Sequence, residues 1–112
     1  MIDAELLFPL LCAALAVPGI PLWSAMVSPN RFYGVRTPAT LADESLWYAV
    51  NRTTGRDIVV TSASCMVLSA VLPQAGLDGT AYAFVMSGAL AAGAALVIAI
   101  ALARARHLRS PL

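Results

Sequence analysis

Long apolar runs alternate with short polar segments along the chain. Three of the runs, at about residues 6–27, 58–77 and 82–103, contain almost no charged side chains. Because a helix needs roughly 20 apolar residues to cross the hydrocarbon core of a bilayer, each run predicts a membrane-spanning helix. The pattern therefore predicts an all-α integral membrane protein with three transmembrane helices, in which residues 1–112 form a single membrane domain.

The three predicted spans differ in how their helices bend or end. The first contains Pro-Gly-Ile-Pro at residues 18–21, and a kink is expected there because proline removes a backbone donor and clashes one turn back. The second is expected to end at the Pro-Gln-Ala-Gly stretch of residues 73–76. Small residues at four-residue spacings in the third span predict close packing against another helix or a second copy of the chain. They are Gly88, Ala89, Ala92 and Gly93.

The distribution of charge predicts the orientation. All seven basic residues are arginines, and they lie either within residues 28–57 or after residue 103. The N-terminal end and the turn at residues 73–81 carry only acids. Because basic segments stay on the cytoplasmic side, we expect a plasma-membrane protein with its N-terminus outside and its C-terminus in the cytoplasm. The net charge of +1 gives no reason to expect nucleic acid as a partner.

The polar segment 28–57 is longer than a connector between two spans requires. Gly34 predicts either a positive φ or a close approach of two backbones. Thr40, with Asp43 three residues later, indicates a capping box that opens a helix. Thr37 followed by Pro38 is the alternative helix start.

Residues 41–54 have helical periodicity, and Gly55 is expected to end that helix. One face holds Ala42, Leu46, Ala49, Val50 and Thr53. The other holds Glu44, Trp47, Tyr48, Asn51 and Arg52. The pattern predicts a short amphipathic helix in the cytoplasmic interface. The aromatic residues expected in the headgroup layer are Trp23, Phe32, Tyr33, Trp47 and Tyr48.

Two interpretations of this segment stay open on its residues alone. Ion pairs of Glu44 with Arg36 or Arg52 could lock the loop against the helix, although exposed pairs contribute only about 0–1 kcal/mol. Alternatively, the same charged side chains form a specific recognition surface.

Few residues in the spans suggest chemistry. Cys12 and Cys65 lie in different spans and His107 lies in the tail, so no metal-ligand pattern is found. A nucleophile needs a partnered base, and no His, Lys or acid accompanies Ser62 or Ser64 within the second span. We therefore expect neither an enzyme nor a cofactor.

The stretch NRFYGVRTPATLADESLWYAVNRTTGR, residues 30–56, resembles the signature segment of the SdpI family, small bacterial membrane proteins named for toxin immunity. That segment reads Asn, Gly-hydrophobic-Arg-Thr, often Pro, Thr-Leu, an acidic pair, Trp, Asn- or His-Arg and Gly. The matching positions are Asn30, Gly34, Val35, Arg36, Thr37, Pro38, Thr40, Leu41, Glu44, Trp47, Asn51, Arg52 and Gly55. The chain differs in having Ala39 where members often have an aromatic residue, and in lacking the extra N-terminal spans of longer members.

The resemblance implies a non-catalytic membrane protein that protects against a membrane-active peptide toxin, or that signals by holding a cytoplasmic regulator at the membrane. The binding residues it implies are Asn30, Gly34, Arg36, Thr37, Pro38, Glu44, Trp47, Asn51, Arg52 and Gly55. Charge-assisted contacts are expected from Arg31, Arg36, Glu44 and Arg52. The alternatives are a small transporter of hydrophobic compounds, which needs a polar group inside the bilayer, and a holin-like pore former.

Overall fold

The computed structural model describes residues 4–30 and 32–108, with side chains described from residue 6 onward. Every regular element in this part is helical: α1 Ala4–Ala16, α2 Gly19–Trp23, α3 Pro38–Ala42, α4 Glu44–Val71, a 3₁₀ turn at Leu72–Ala75, and α5 Gly79–Leu108. Three stretches are long and apolar enough to cross a membrane, at Leu6–Trp23, Glu44–Ala75 and Gly79–Leu108. The predicted three-span, all-α membrane protein is confirmed, while Arg31 and Arg109 lie outside the described residues.

The first span is broken at its Pro-Gly-Ile-Pro stretch, residues 18–21. Helix α1 ends at Ala16, and α2 begins only at Gly19. Past α2 the chain turns sharply, with Ala25 at a φ of 59° and the Met26 amide donating to the Pro21 carbonyl at 2.9 Å. The predicted interruption at residues 18–21 is therefore confirmed, as a break between two helices.

Helix α4 runs without interruption for 28 residues, from Glu44 to Val71. The predicted interfacial helix ending at Gly55 is wrong, because Gly55 lies inside α4 and is not in the left-handed region that ends a helix. At about 1.5 Å per residue α4 is roughly 42 Å long, which exceeds the roughly 30 Å hydrocarbon core of a bilayer. Its N-terminal part is therefore a direct continuation of the second span within one helix.

Gly55 is required for a different reason, which is the crossing of α4 with α2. A Cβ atom on Gly55 would lie 2.6 Å from the Gly19 carbonyl oxygen, and one on Gly19 would lie 2.8 Å from the Gly55 carbonyl oxygen. Neither separation can accommodate a side chain. The two glycines thus allow the backbones to touch, as small residues do between membrane helices.

The helix starts in the polar segment follow local capping. Thr37 is the N-cap of α3, with Pro38 at the first helical position, and its hydroxyl accepts from the Thr40 amide at 3.1 Å. This confirms the alternative start at Thr37 and overturns the predicted pairing of Thr40 with Asp43. Asp43 instead caps α4, because its carboxylate accepts from the Leu46 amide at 3.3 Å.

The end of the second span is confirmed. The 3₁₀ turn at Leu72–Ala75 follows α4 directly, and Gly76 closes it at a φ of 87°. Asp78 then opens α5 by accepting from the Ala81 amide at 2.8 Å.

The three spans meet in a small apolar core. Its buried members are Phe8, Cys12, Cys65, Tyr82 and Met86. The rings of Phe8 and Tyr82 pack edge to face at 5.6 Å, and the Tyr82 hydroxyl donates to the Ser69 carbonyl at 3.0 Å. Because this bond satisfies a phenol inside the bilayer, it fixes α5 against α4.

The predicted small-residue packing of α5 occurs at one of its glycines. A Cβ atom on Gly93 would lie 2.8 Å from Cγ2 of Thr61 on α4, whereas one on Gly88 would meet nothing within 4 Å. The outer surfaces of the spans carry exposed apolar side chains, including Leu6, Val67 and Leu96. Such a surface suits contact with lipid.

Candidate functional site

The polar segment begins with a turn built by the side chain of Asn30. Its Oδ1 accepts from the amides of Phe32 and Tyr33, both at 2.8 Å, and its Nδ2 donates to the Ser28 carbonyl at 2.8 Å. Asn and Asp favour turns because their side chains bond nearby backbone groups in this way. Asn30 therefore fixes the direction in which the chain returns toward α4.

Gly34 brings the returning chain into contact with α4. Its φ is 107°, and a Cβ atom there would lie 2.8 Å from Asn51 Oδ1 and 3.2 Å from the Trp47 ring. The sequence predicted either a positive φ or a close backbone approach, and both occur. A residue with a side chain would be strained at this position and would also displace Asn51.

Asn51 is the central hydrogen-bonding residue of the segment. Its side chain is buried, its Oδ1 accepts from the Val35 amide at 2.6 Å, and its Nδ2 donates to the Trp47 carbonyl at 2.9 Å. A buried backbone amide needs such an acceptor. Asn51 thus supplies the partner that lets the loop lie directly on the helix.

Trp47 anchors the start of the loop in the same way. Its side chain is fully buried, and its Nε1 donates to the Val27 carbonyl at 2.8 Å. Because protein covers its ring, Trp47 is not exposed to lipid headgroups as a residue of the predicted aromatic belt would be. The loop covers the helix face that holds Trp47 and Asn51, so that face is internal.

Thr40 is a structural residue of the SdpI-like segment that is not among the predicted binding residues. It is completely buried, its hydroxyl donates to the Val35 carbonyl at 2.8 Å, and it accepts from the Thr37 amide at 2.8 Å. In the sequence, the available signal for this role was the three-residue spacing of Thr37 and Thr40. Thr40 on α3 and Asn51 on α4 therefore both bind the backbone of Val35, which joins the loop to both helices.

The charged residues of the predicted site remain on the surface. Arg36, Glu44 and Arg52 are exposed, as is Pro38. The predicted pair of Glu44 with Arg52 does not form among the residues that the structure describes. In place of such a pair, the carboxylate of Asp57 lies 3.1 Å from Arg56 and 3.3 Å from Arg104.

Asp57 was missed by the sequence analysis. Its carboxylate connects α4 to α5 through Arg104, and both side chains are about one-fifth exposed. An acid immediately before the apolar run of the second span was the only signal available. Because α5 contributes the partner, this connection required the three-dimensional arrangement.

A cavity of about 520 Å³ lies between α2, the segment 33–37, α4 and α5. Its lining is mainly apolar, which together with this size is typical of small-molecule pockets. Arg36, Thr54 and Ser62 contribute polar groups. Thr54 Oγ1 is buried and has no hydrogen-bond partner in the described part of the chain. Arg52 lines a different groove on α4, so the structure separates it from Arg36.

Tyr33 closes one edge of the cavity. Its hydroxyl donates to the Pro18 carbonyl at the break in the first span. Burial raises the pKa of the Tyr33 phenol above its ordinary value. The loop therefore contacts the first span through Tyr33 and the second through Asn51.

These features define a small multi-pass helical membrane protein in which one polar segment is folded tightly onto an extended transmembrane helix. Residues 26–103 match the SdpI/YfhL protein family. The match covers more than half of the chain and includes the whole folded segment, so the protein belongs to this family. Comparisons with curated proteins and with solved structures gave no match.

Proposed function

We propose that the protein is a non-catalytic, immunity-type member of the SdpI/YfhL family. It protects the cell against a membrane-active peptide toxin, or signals by binding a cytoplasmic regulator, through the segment 30–56. The family match across that segment carries the proposal. In this proposal the protein lies in the plasma membrane, with the N-terminus outside and the segment and C-terminus in the cytoplasm, in agreement with the arginine distribution.

The contacts of the segment support a division of roles among its residues. Gly34, Trp47 and Asn51 are held inside by the close approach and hydrogen bonds described above, so they give the segment its shape. Arg36 and Glu44 are exposed on that shape, and they provide the charge-assisted contacts to the partner.

The proposal is tested in a strain that lacks the gene and is challenged with spent medium of the parent culture. Wild-type protein should restore growth, and a double variant Arg36→Ala with Glu44→Ala should not, at equal protein abundance in the membrane. Arg106→Ala is the control, because Arg106 is exposed near the end of α5 and lies outside the segment. Full protection by the double variant would overturn the assignment of these residues. A substitution at Trp47 does not test the binding surface, because this side chain is fully buried and has a structural role.

The cavity favours a second candidate, a small transporter of hydrophobic compounds. A mainly apolar cavity that carries a buried hydroxyl without a partner has the character of a binding site for such a compound. Protein reconstituted in vesicles should then release a hydrophobic dye in response to a proton gradient, and Thr54→Val should slow the release. Release equal to that of protein-free vesicles would eliminate this candidate.

A further inference from the structure

A second groove, which we call the basic groove, lies on the face of α4 opposite the cavity. It measures about 620 Å³ and is lined by the side chains of Arg52, Arg56, Arg104 and His107, with Trp23 and Leu108 at its apolar parts. The residues from α4 recur at three- and four-residue spacings, and so do those from α5. Each helix therefore presents one continuous face to the groove.

Two of the three arginines of the basic groove are held in place by a single acid. Asp57 binds both Arg56 and Arg104, while Arg52 is exposed and forms no ion pair among the described residues. Each guanidinium has five N–H donors, so the two that contact Asp57 retain donors for a ligand. Three guanidinium groups and one carboxylate together leave the groove with a net positive charge.

The basic groove lies at the edge of the apolar part of the molecule. Arg104 directly follows the apolar run of α5, and Asp57 directly precedes that of α4. Because these two side chains meet at 3.3 Å, both boundaries are at the same level. Trp23 and Leu108 are roughly half exposed there, and tryptophan is enriched where a bilayer meets water.

We propose that the basic groove binds the headgroup of an anionic phospholipid. The phosphate is bound by Arg52, Arg56 and Arg104, because the planar guanidinium matches the geometry of a phosphate. The upper parts of the acyl chains lie against Trp23 and Leu108. A zwitterionic lipid fits less well, because its ammonium group needs an acid and Asp57 is already shared by two arginines. Basic pockets between transmembrane helices bind anionic headgroups in this way.

Trp23 provides a direct reporter of this binding. The chain has two tryptophans, and Trp47 is fully buried whereas Trp23 is 45% exposed. The full-length protein is reconstituted in vesicles of phosphatidylcholine and phosphatidylglycerol, in which one lipid at a time carries brominated chains that quench tryptophan fluorescence. At equal mole fraction, brominated phosphatidylglycerol should quench more strongly. A Trp23→Phe variant gives the contribution of Trp47 to be subtracted.

Variants that remove one charge distinguish the groove from general attraction to a charged surface. Arg52→Gln should lower the preference for phosphatidylglycerol by about fivefold, as expected for the loss of one hydrogen bond to the phosphate. Arg106→Gln removes a charge from the same end of α5 outside the groove and should leave the preference within about twofold of wild type. Equal losses in the two variants would overturn the proposal, as would equal quenching by both lipids in the wild type.

Inorganic phosphate tests whether the ligand is a lipid or a soluble anion. Added at millimolar concentration, with chloride at matched ionic strength as the control, it should leave the lipid preference unchanged. Displacement of the lipid by phosphate would show that the groove is a site for free phosphate and would overturn the assignment to lipid. Because no toxin is present in this assay, a negative result leaves the proposed function untouched.

Discussion

Replacing Asn51 with Leu should release the polar segment from α4 while leaving the spans folded. Leucine has the same branched heavy-atom skeleton as asparagine but neither accepts from the Val35 amide nor donates to the Trp47 carbonyl, the two bonds seen at 2.6 and 2.9 Å. A buried donor left without its acceptor costs about 1–3 kcal/mol. We therefore expect the segment to be destabilised by about 2 kcal/mol, which raises its opening equilibrium about 30-fold.

Hydrogen exchange measures this change directly. The amides of residues 32–37 in the full-length protein should exchange about 30-fold faster in the variant, because exchange reports local opening. The apolar core around Phe8 and Met86 lies on α1 and α5 rather than under the loop, so the amides of those spans should be unaffected.

Arg52→Leu is the matched control for this experiment. Arg52 is the next residue on the same helix and is exposed, and exposed substitutions usually change stability by less than about 0.5 kcal/mol. If the amides of residues 32–37 in Asn51→Leu exchange at rates within threefold of the wild type, the bonds of Asn51 do not hold the segment, and the reasoning is refuted.

Three further predictions concern neighbouring contacts. Gly34→Ala should lower the free energy of unfolding by about 1–3 kcal/mol through backbone strain. Gly88→Ala should not lower it, because a Cβ atom there meets nothing within 4 Å. Equal melting temperatures for the two variants would contradict this prediction. A double-mutant cycle of Asp57→Asn and Arg104→Gln should give a coupling of about 1 kcal/mol that falls with added salt, and zero coupling would count against the ion pair. Burial raises the pKa of the Tyr33 phenol, so the stabilising contribution of this phenol is complete below about pH 10 and is lost as the pH rises through the raised value. Tyr33→Phe should remove this loss of stability from melting curves recorded between about pH 8 and pH 11. Identical pH dependence in the variant and the wild type would contradict the prediction.

The spans and their breaks could be predicted because each depends on residues close in sequence. Apolar length gave the three spans. The prolines at residues 18 and 21 gave the break in the first, and Gly76 gave the end of the second, as the structure confirms. Capping at Thr37 was also accessible from sequence, because the N-cap and its partner Thr40 are three residues apart.

The helix through the polar segment could not be predicted in the same way. Gly55 has the local character of a helix end, and only its contact with Gly19 shows why a glycine is present inside α4. Trp47 and Asn51 lie on the polar face of the helical pattern, and periodicity alone gives no sign that a loop covers them. Sequence patterns identify which residues share a face, but the element that packs on that face is set by tertiary contacts.

The unbroken course of α4 has a mechanical consequence. A helix that ended at Gly55 would let the polar segment and the second span rotate independently, as two rods joined by a hinge. In a single rod, any turn of the membrane-embedded half about its axis rotates Trp47 and Asn51 through the same angle, together with the loop bonded to them. A torque applied to one end of α4 therefore reaches the other end, because no flexible joint lies between them.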